Sequence, residues 1–123
     1  MREDRFPVDL VADVPVVGTP EEIDLTNADG LRLALVQAAG DGHQRFVVDM
    51  TRTRFCDSSG VHALATAHQR ALGENRQLLL AVSDPAVRRI FALTGIDQMI
   101  PSFASLEQAL EYAAAEGSPS PTS

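Results

Sequence analysis

Two apolar runs of strand length, Phe46-Val47-Val48-Asp49-Met50 and Leu78-Leu79-Leu80-Ala81-Val82, stand on either side of one segment with helical spacing. In that segment Val61, Leu64, Ala65, His68 and Leu72 recur at steps of three and four. Neither run alternates strictly between apolar and polar residues, which is the pattern of a strand covered on both faces. Strand, helix and strand over residues 45–82 make a βαβ unit. The helix is the crossover that parallel strands require, and its hand is expected to be right.

The flanking segments extend the alternation. Residues 6–18 hold two short apolar pieces, and Pro7 and Pro15 lack an N–H, so an edge strand or hairpin is expected there. Residues 20–27 read as a polar loop with an acidic cluster, Glu21, Glu22 and Asp24. Thr26 or Asn27 is placed to cap a helix, with Asp29 in its first turn. Ala28, Leu31, Ala34, Leu35 and Ala38 form that helix's inner face, and Gly40 is placed to end it in a left-handed conformation. Gly30 inside it costs about 1 kcal/mol against alanine. The helix after Ser58 is expected to reach about Leu72 and stop at Gly73. Ser83-Asp84-Pro85 reads as a capping side chain followed by proline at the first helical position. Val87, Ile90, Phe91 and Thr94 then face inward until Gly95. Met99-Ile100 is expected as a short strand stopped by Pro101. Ser105 and Gln108 match a capping box, with Leu106, Ala109, Leu110 and Ala113 inward on the last helix. The predicted order is β, β, α, β, α, β, α, β, α. It implies one α/β domain over residues 6–115, a mixed, mainly parallel sheet of about five strands with about four helices. Residues 1–5 are expected as an N-terminal tail and residues 116–123 as a disordered C-terminal tail, the latter from its glycine, serine, proline and threonine.

A chain of 123 residues is long enough to bury a core without staples. Its formal net charge is −7, and the acids are concentrated early: residues 1–50 hold ten acids and four arginines, residues 51–123 seven and six. Such a chain is a poor match for nucleic acid and suits a basic protein partner better. All ten basic residues are arginine, which excludes any mechanism needing a catalytic lysine. Cys56 is the single cysteine, so neither an internal disulfide nor a Cys-based metal site is expected. His43, His62 and His68 show no metal-ligand spacing, and no metal or cofactor is expected. No apolar run reaches membrane-spanning length, and residues 1–5 lead into no signal core, so a cytoplasmic location away from the membrane is expected.

Asp57-Ser58-Ser59-Gly60 lies where the first strand hands over to the helix. Two hydroxyls and a carboxylate at a helix N-terminus, with free backbone N–H groups and a positive dipole end, favour an oxyanion or a phosphate. On these residues alone, Asp57, Ser58 or Ser59 acting only as a cap is the prevailing alternative. His62 falls one turn beyond Ser58 on the same face, where it either meets a phosphate or is an ordinary exposed histidine. Cys56 reads as a small buried residue, with redox sensing as the alternative. An enzyme is not expected. Gly-x-Ser-x-Gly is absent around Ser58, and no histidine follows His68 to complete a hydrolase triad. A receiver domain would need a lysine, and Val17-Gly18-Thr19-Pro20-Glu21 is no phosphate loop.

Three stretches together resemble the anti-sigma factor antagonists, whose fold is called the STAS domain. They are Glu22 to Ala28, Phe46 to Gly60 with Phe55 in its loop, and Ser83 to Phe91 with Thr94-Gly95-Ile96. The resemblance covers roughly residues 6–115. It implies that Ser58 is phosphorylated by a cognate anti-sigma factor that is also a serine kinase. The unphosphorylated antagonist binds that factor and frees the sigma factor, and a metal-dependent serine phosphatase (PP2C-type) reverses the modification. It further implies a partner surface made of Asp24, Asp57, Ser58, Ser59, Gly60 and His62, on a domain that is a monomer when free. Two positions depart from the family pattern: Glu21 stands where the family has glycine, and His62 where small apolar residues are usual. The alternatives are a STAS-like scaffold that binds a protein or small ligand without phosphorylation, and a detached regulatory module of an anion transporter.

Overall fold

The computed structural model describes residues 5–40 and 42–115. Residues 1–4 of the expected N-terminal tail and all of the expected C-terminal tail, residues 116–123, lie outside the described residues. In chain order the elements are β1 (Val8–Val11), β2 (Val14–Gly18), β3 (Glu22–Ile23), α1 (Ala28–Ala39), β4 (Arg45–Asp49), β5 (Phe55–Cys56), α2 (Ser58–Gly73), β6 (Gln77–Ala81), α3 (Pro85–Thr94), α4 (Ile96–Met99), β7 (Ser102–Phe103) and α5 (Leu106–Ala114).

The expected hairpin is present: β1 and β2 pair antiparallel around Ala12 and Asp13, whose φ values are 53° and 69°. That positive-φ pair matches the twist of the flanking strands. β2 then pairs parallel with β4, β4 with β6 and β6 with β7, giving a five-stranded order β1-β2-β4-β6-β7. Pro15 sits opposite Leu10 on β1, before β2 meets β4 at Val16, so its missing N–H breaks no bond to β4. The central strands are buried on both faces. Val17, Phe46, Val48, Leu78 and Leu80 point into a core shared with α1, α2 and α3. Val16, Val47, Leu79 and Ala81 point the other way, onto Ala109 and Ala113 of α5. The two-faced burial accounts for the missing alternation in β4 and β6. All five inner positions expected on α1 are buried.

Several local expectations are corrected. Residues 99–100 are not a strand: Ile96–Met99 is a helical turn, entered through Gly95 at φ 84°. The strand follows Pro101, whose carbonyl accepts from Leu80 N at 2.9 Å, so the proline leads into β7 instead of stopping it. Gly40 is right-handed, with φ −76°, and Gly42 takes the positive φ. α2 ends at Gly73 as expected, and the chain beyond it closes on Asn75 at φ 62°, with Arg76 N donating to Ala71 O and Asn75 N to Leu72 O, a Schellman turn. Asp84 stands at the N-cap of α3 without a side-chain cap; Ser83 Oγ instead donates to Ala104 O at 2.9 Å. Ser105 Oγ caps Gln108 N as expected, but the Gln108 amide oxygen reaches Ala104 N, one residue short of the capping box. Thr94 and Leu72 are exposed.

Candidate functional site

The expected polar loop at residues 20–27 contains a strand. β3 and β5 form a two-stranded parallel sheet of their own, with Glu22 opposite Phe55 and Ile23 opposite Cys56. Arg54 N and Phe55 N both donate to Glu21 O, and Asp57 N donates to Ile23 O at 3.1 Å. Asp24 and Asp57 therefore leave this short sheet as neighbours. Two-residue strands are too short to show a period, so the pairing was not legible in the sequence.

Asp57 is the N-cap of α2. Its Oδ1 accepts from Ser59 N at 2.8 Å and Gly60 N at 3.3 Å, and its carbonyl accepts from Val61 N. The expectation of free N–H groups at this helix end is corrected accordingly: the carboxylate of Asp57 already holds two of them. Capping and phosphate acceptance are thereby divided between two residues. Asp57 caps, while Ser58 is exposed and its hydroxyl makes no hydrogen bond among the described residues. Ser59 is half-buried, and His62 is exposed one turn further along α2.

Gly60 is buried, and its place is set by what lies beneath. A Cβ there would stand 2.6 Å from Cys56 Sγ and 2.8 Å from Ile23 Cγ2, closer than such atoms approach. The first turn of α2 thus rests directly on the β3–β5 pair, which only glycine permits. Cys56 is fully buried, and burial together with the neighbouring Asp57 pushes its thiol up to about 12. A thiol held protonated and covered is a poor nucleophile, which favours the packing reading over redox sensing.

The Asp24 side chain accepts from Thr26 N at 2.9 Å and from Thr26 Oγ1 at 2.6 Å. Asn27 stands at the N-cap of α1 but makes no side-chain cap. Its amide oxygen instead takes Asp24 N at 2.9 Å, and its amide nitrogen donates to Glu22 O at 2.8 Å. These bonds staple residues 22–27 into one shape. A second buried network supports the loop that precedes β5. Thr19 Oγ1 and Thr53 Oγ1 lie 2.6 Å apart, and Thr53 also donates to Pro20 O. Two exposed apolar side chains flank the corner: Leu25, 79% exposed, and Phe55, 46% exposed. Sequence patterning does not single out Leu25, since an isolated apolar residue in a polar loop carries no period.

His68 faces the core from the middle of α2, and burial lowers its pKa. Among the described residues no three His, Cys, Asp or Glu side chains are arranged to hold a metal ion, and no helix is long and apolar enough to cross a membrane.

The STAS domain family model matches residues 6–109. A STAS-domain containing protein of Pseudomonas aeruginosa is 38% identical over 56 residues, which is 46% of this chain and 55% of that protein, so the match spans about half of that relative's length. The crystal structure of an anti-sigma factor antagonist from Mycobacterium paratuberculosis superposes with a TM-score of 0.82 at 29% identity, covering 89% of this chain and 93% of that one. The anti-sigma factor antagonist SpoIIAA of Bacillus, in its unphosphorylated form, shares the fold with a TM-score of 0.73 at 21% identity, over 94% of this chain and 99% of its own.

Proposed function

The chain belongs to the STAS domain family, and from that premise we propose that it is an anti-sigma factor antagonist switched by phosphorylation of Ser58. The observation that carries the reading is the exposed, uncommitted hydroxyl of Ser58 at the corner where Asp24 and Asp57 meet. The partner is an anti-sigma factor with serine kinase activity, met in the cytoplasm by a monomer of this chain. Leu25 and Phe55 supply the apolar anchors of its contact surface, and the Asp24 loop, Ser59 and His62 surround them.

In the kinase step the Ser58 Oγ attacks the terminal phosphorus of a nucleoside triphosphate held by the partner. The new O–P bond forms as the bond to the bridging oxygen breaks, and a base on the partner takes the hydroxyl proton. The product carries roughly −1.5 to −2 extra charge. Asp57 already occupies the Ser59 and Gly60 N–H groups, so the phosphate cannot draw on them without displacing a carboxylate. It stays outward, beside Asp57, on a chain of net charge −7. A partner surface shaped for a neutral hydroxyl then meets an uncompensated dianion, at a cost of several kcal/mol. The domain itself keeps its fold, and a serine phosphatase restores the binding form.

Mass spectrometry on the protein from its own cells, with pull-down by the unphosphorylated form, tests the reading. Phosphate on Ser58 that vanishes in Ser58→Ala is expected. So is capture of a kinase-type anti-sigma factor by wild type and Ser58→Ala, with affinity lower by about a hundredfold or more for Ser58→Asp. Absence of phosphate at Ser58 in resting and stressed cells alike would sink the switch and leave a STAS scaffold that binds without modification.

A further inference from the structure

A cleft of about 300 Å³ lies between α1, the start of β4 and the face of α2 from Ala63 to Ala71. That is at the small end of the range for ligand pockets, about 300–1,000 Å³. Its walls are mainly apolar, with Leu35 from α1, Phe46 from β4 and Ala67 from α2. Three arginines reach it, and they are not equivalent. Arg32 is engaged by Asp29 at 2.7 Å. Arg70, in the last turn of α2, has no hydrogen bond or ion pair among the described residues. Arg76 is held by the Schellman turn, and its Nη1 is buried without an acceptor. Its contact with Glu74 runs from Nε to Oε1 at 3.9 Å, too long for a hydrogen bond. A buried guanidinium N–H without an acceptor is costly, and Arg76, which lines the cleft, gains an acceptor there when its side chain turns toward an entering anion.

From this arrangement we infer that the cleft binds a small carboxylate with an apolar alkyl or aryl body. The apolar walls take the body; Arg70 and Arg76 take the head. Charge complementarity limits the ligand to one negative charge. Glu74 lines the same cleft, and α1 and α2 both direct their C-terminal, negative dipole ends toward it. These terms offset part of the two arginines' charge and disfavour a phosphate dianion. A planar carboxylate also matches the guanidinium fork. The cleft runs along α2 from Ala63 to Ala71 and none of Asp57, Ser58 or Ser59 lines it, so its occupancy does not depend on the switch reading.

Octanoate is the probe, with octanol and octyl phosphate as its neutral and dianionic counterparts, titrated into the full chain and followed by amide NMR. Saturable shifts confined to the amides of Gly40, Ala67, Arg70 and Arg76 and their neighbours are expected. Octanol and octyl phosphate are each expected to bind about tenfold more weakly or worse, and Arg70→Gln and Arg76→Gln each to weaken octanoate to a similar degree. Ala67→Leu, which fills the apolar part, is expected to abolish binding. Arg70 is exposed, so Arg70→Gln keeps the fold and remains informative should Arg76→Gln fail to fold. Non-saturable or scattered shifts overturn the site. Equal affinity for octanol, or for Arg70→Gln, overturns the anion half of the proposal. Tighter binding of octyl phosphate overturns the single-charge limit.

Discussion

The two ends of α2 are built on opposite packing logic. At the first turn, Gly60 lies on Ile23 and Cys56 with no room for a methyl group. At the last turn, Gly73 is exposed and meets no neighbouring element within 4 Å of a would-be Cβ, and the face of α2 from Ala63 to Ala71 lines a cleft against α1. The tight end carries the polar corner and the loose end carries the apolar hollow. A phosphoacceptor that must be read by a partner needs a fixed backbone, which the β3–β5 pair and the Asp57 cap supply. A ligand cleft needs unfilled volume, and dense packing excludes that. The same helix can serve both because its ends rest on different elements.

The tight end is dry, and the Cys56 thiol reports it. The Cys56 thiol is pushed up to about 12, from an ordinary 9.0, first by burial and then by Asp57. A folded-state pKa above the unfolded one means that the unfolded chain gives up its proton first. The stabilisation is complete below about pH 9 and is lost as pH rises from there toward 12. The loss across the whole window is on the order of 4 kcal/mol, at about 1.4 kcal/mol for each unit. Urea unfolding at rising alkaline pH measures it, and Cys56→Ala is expected to flatten the curve. An equally steep curve in the variant would mean that water reaches the thiol and the corner is loose.

A paired glycine exchange sharpens the contrast with less force. Gly60→Ala is expected to destabilise by about 1–3 kcal/mol, because the added methyl forces Ile23 and Cys56 apart. Gly73→Ala is expected to stabilise by about 0.4–1 kcal/mol, since the site is open and alanine has less freedom to lose on folding. Denaturant midpoints give both signs. Two shifts of the same sign would remove the difference between the ends.

How far the sequence foretold this molecule depends on the range of the signal. The α1 face and the parallel β4–α2–β6 unit were legible because each repeats its pattern over many residues. Asp57 and Ser58 were legible because a helix start is local. The neighbourhood of Asp24 and Asp57 was implied only by the family resemblance and not by periodicity, since it rests on two residues of β3 meeting two of β5, and no period shows in so short a strand. Gly40 misled for a related reason. Glycine permits a left-handed turn without requiring one, and the chain takes the positive φ at Gly42 instead. The arginines of the cleft were visible only as charges. What distinguishes Arg76 from Arg32 is that one is buried without an acceptor and the other has Asp29, and both facts are tertiary.

The smallest expected effect lies midway between the two ends, at His68. Its side chain is buried, and its Nδ1 has no partner. As a neutral imidazole it can place the proton on Nε2 and leave Nδ1 as an unused acceptor. As an imidazolium it must keep an N–H on Nδ1 with nothing to receive it, in a place that also penalises charge. Both costs fall on the protonated form, in agreement with a pKa lowered by burial. A folded-state pKa below the unfolded one gives stability that is present above about pH 6.5 and is lost as pH falls through the folded value. His68→Leu is expected to lessen the loss of stability between about pH 7 and 5, read from thermal unfolding at the two pH values. An unchanged slope would show that the middle of α2 opens to water on that side, and the tight packing would then end within its first turns.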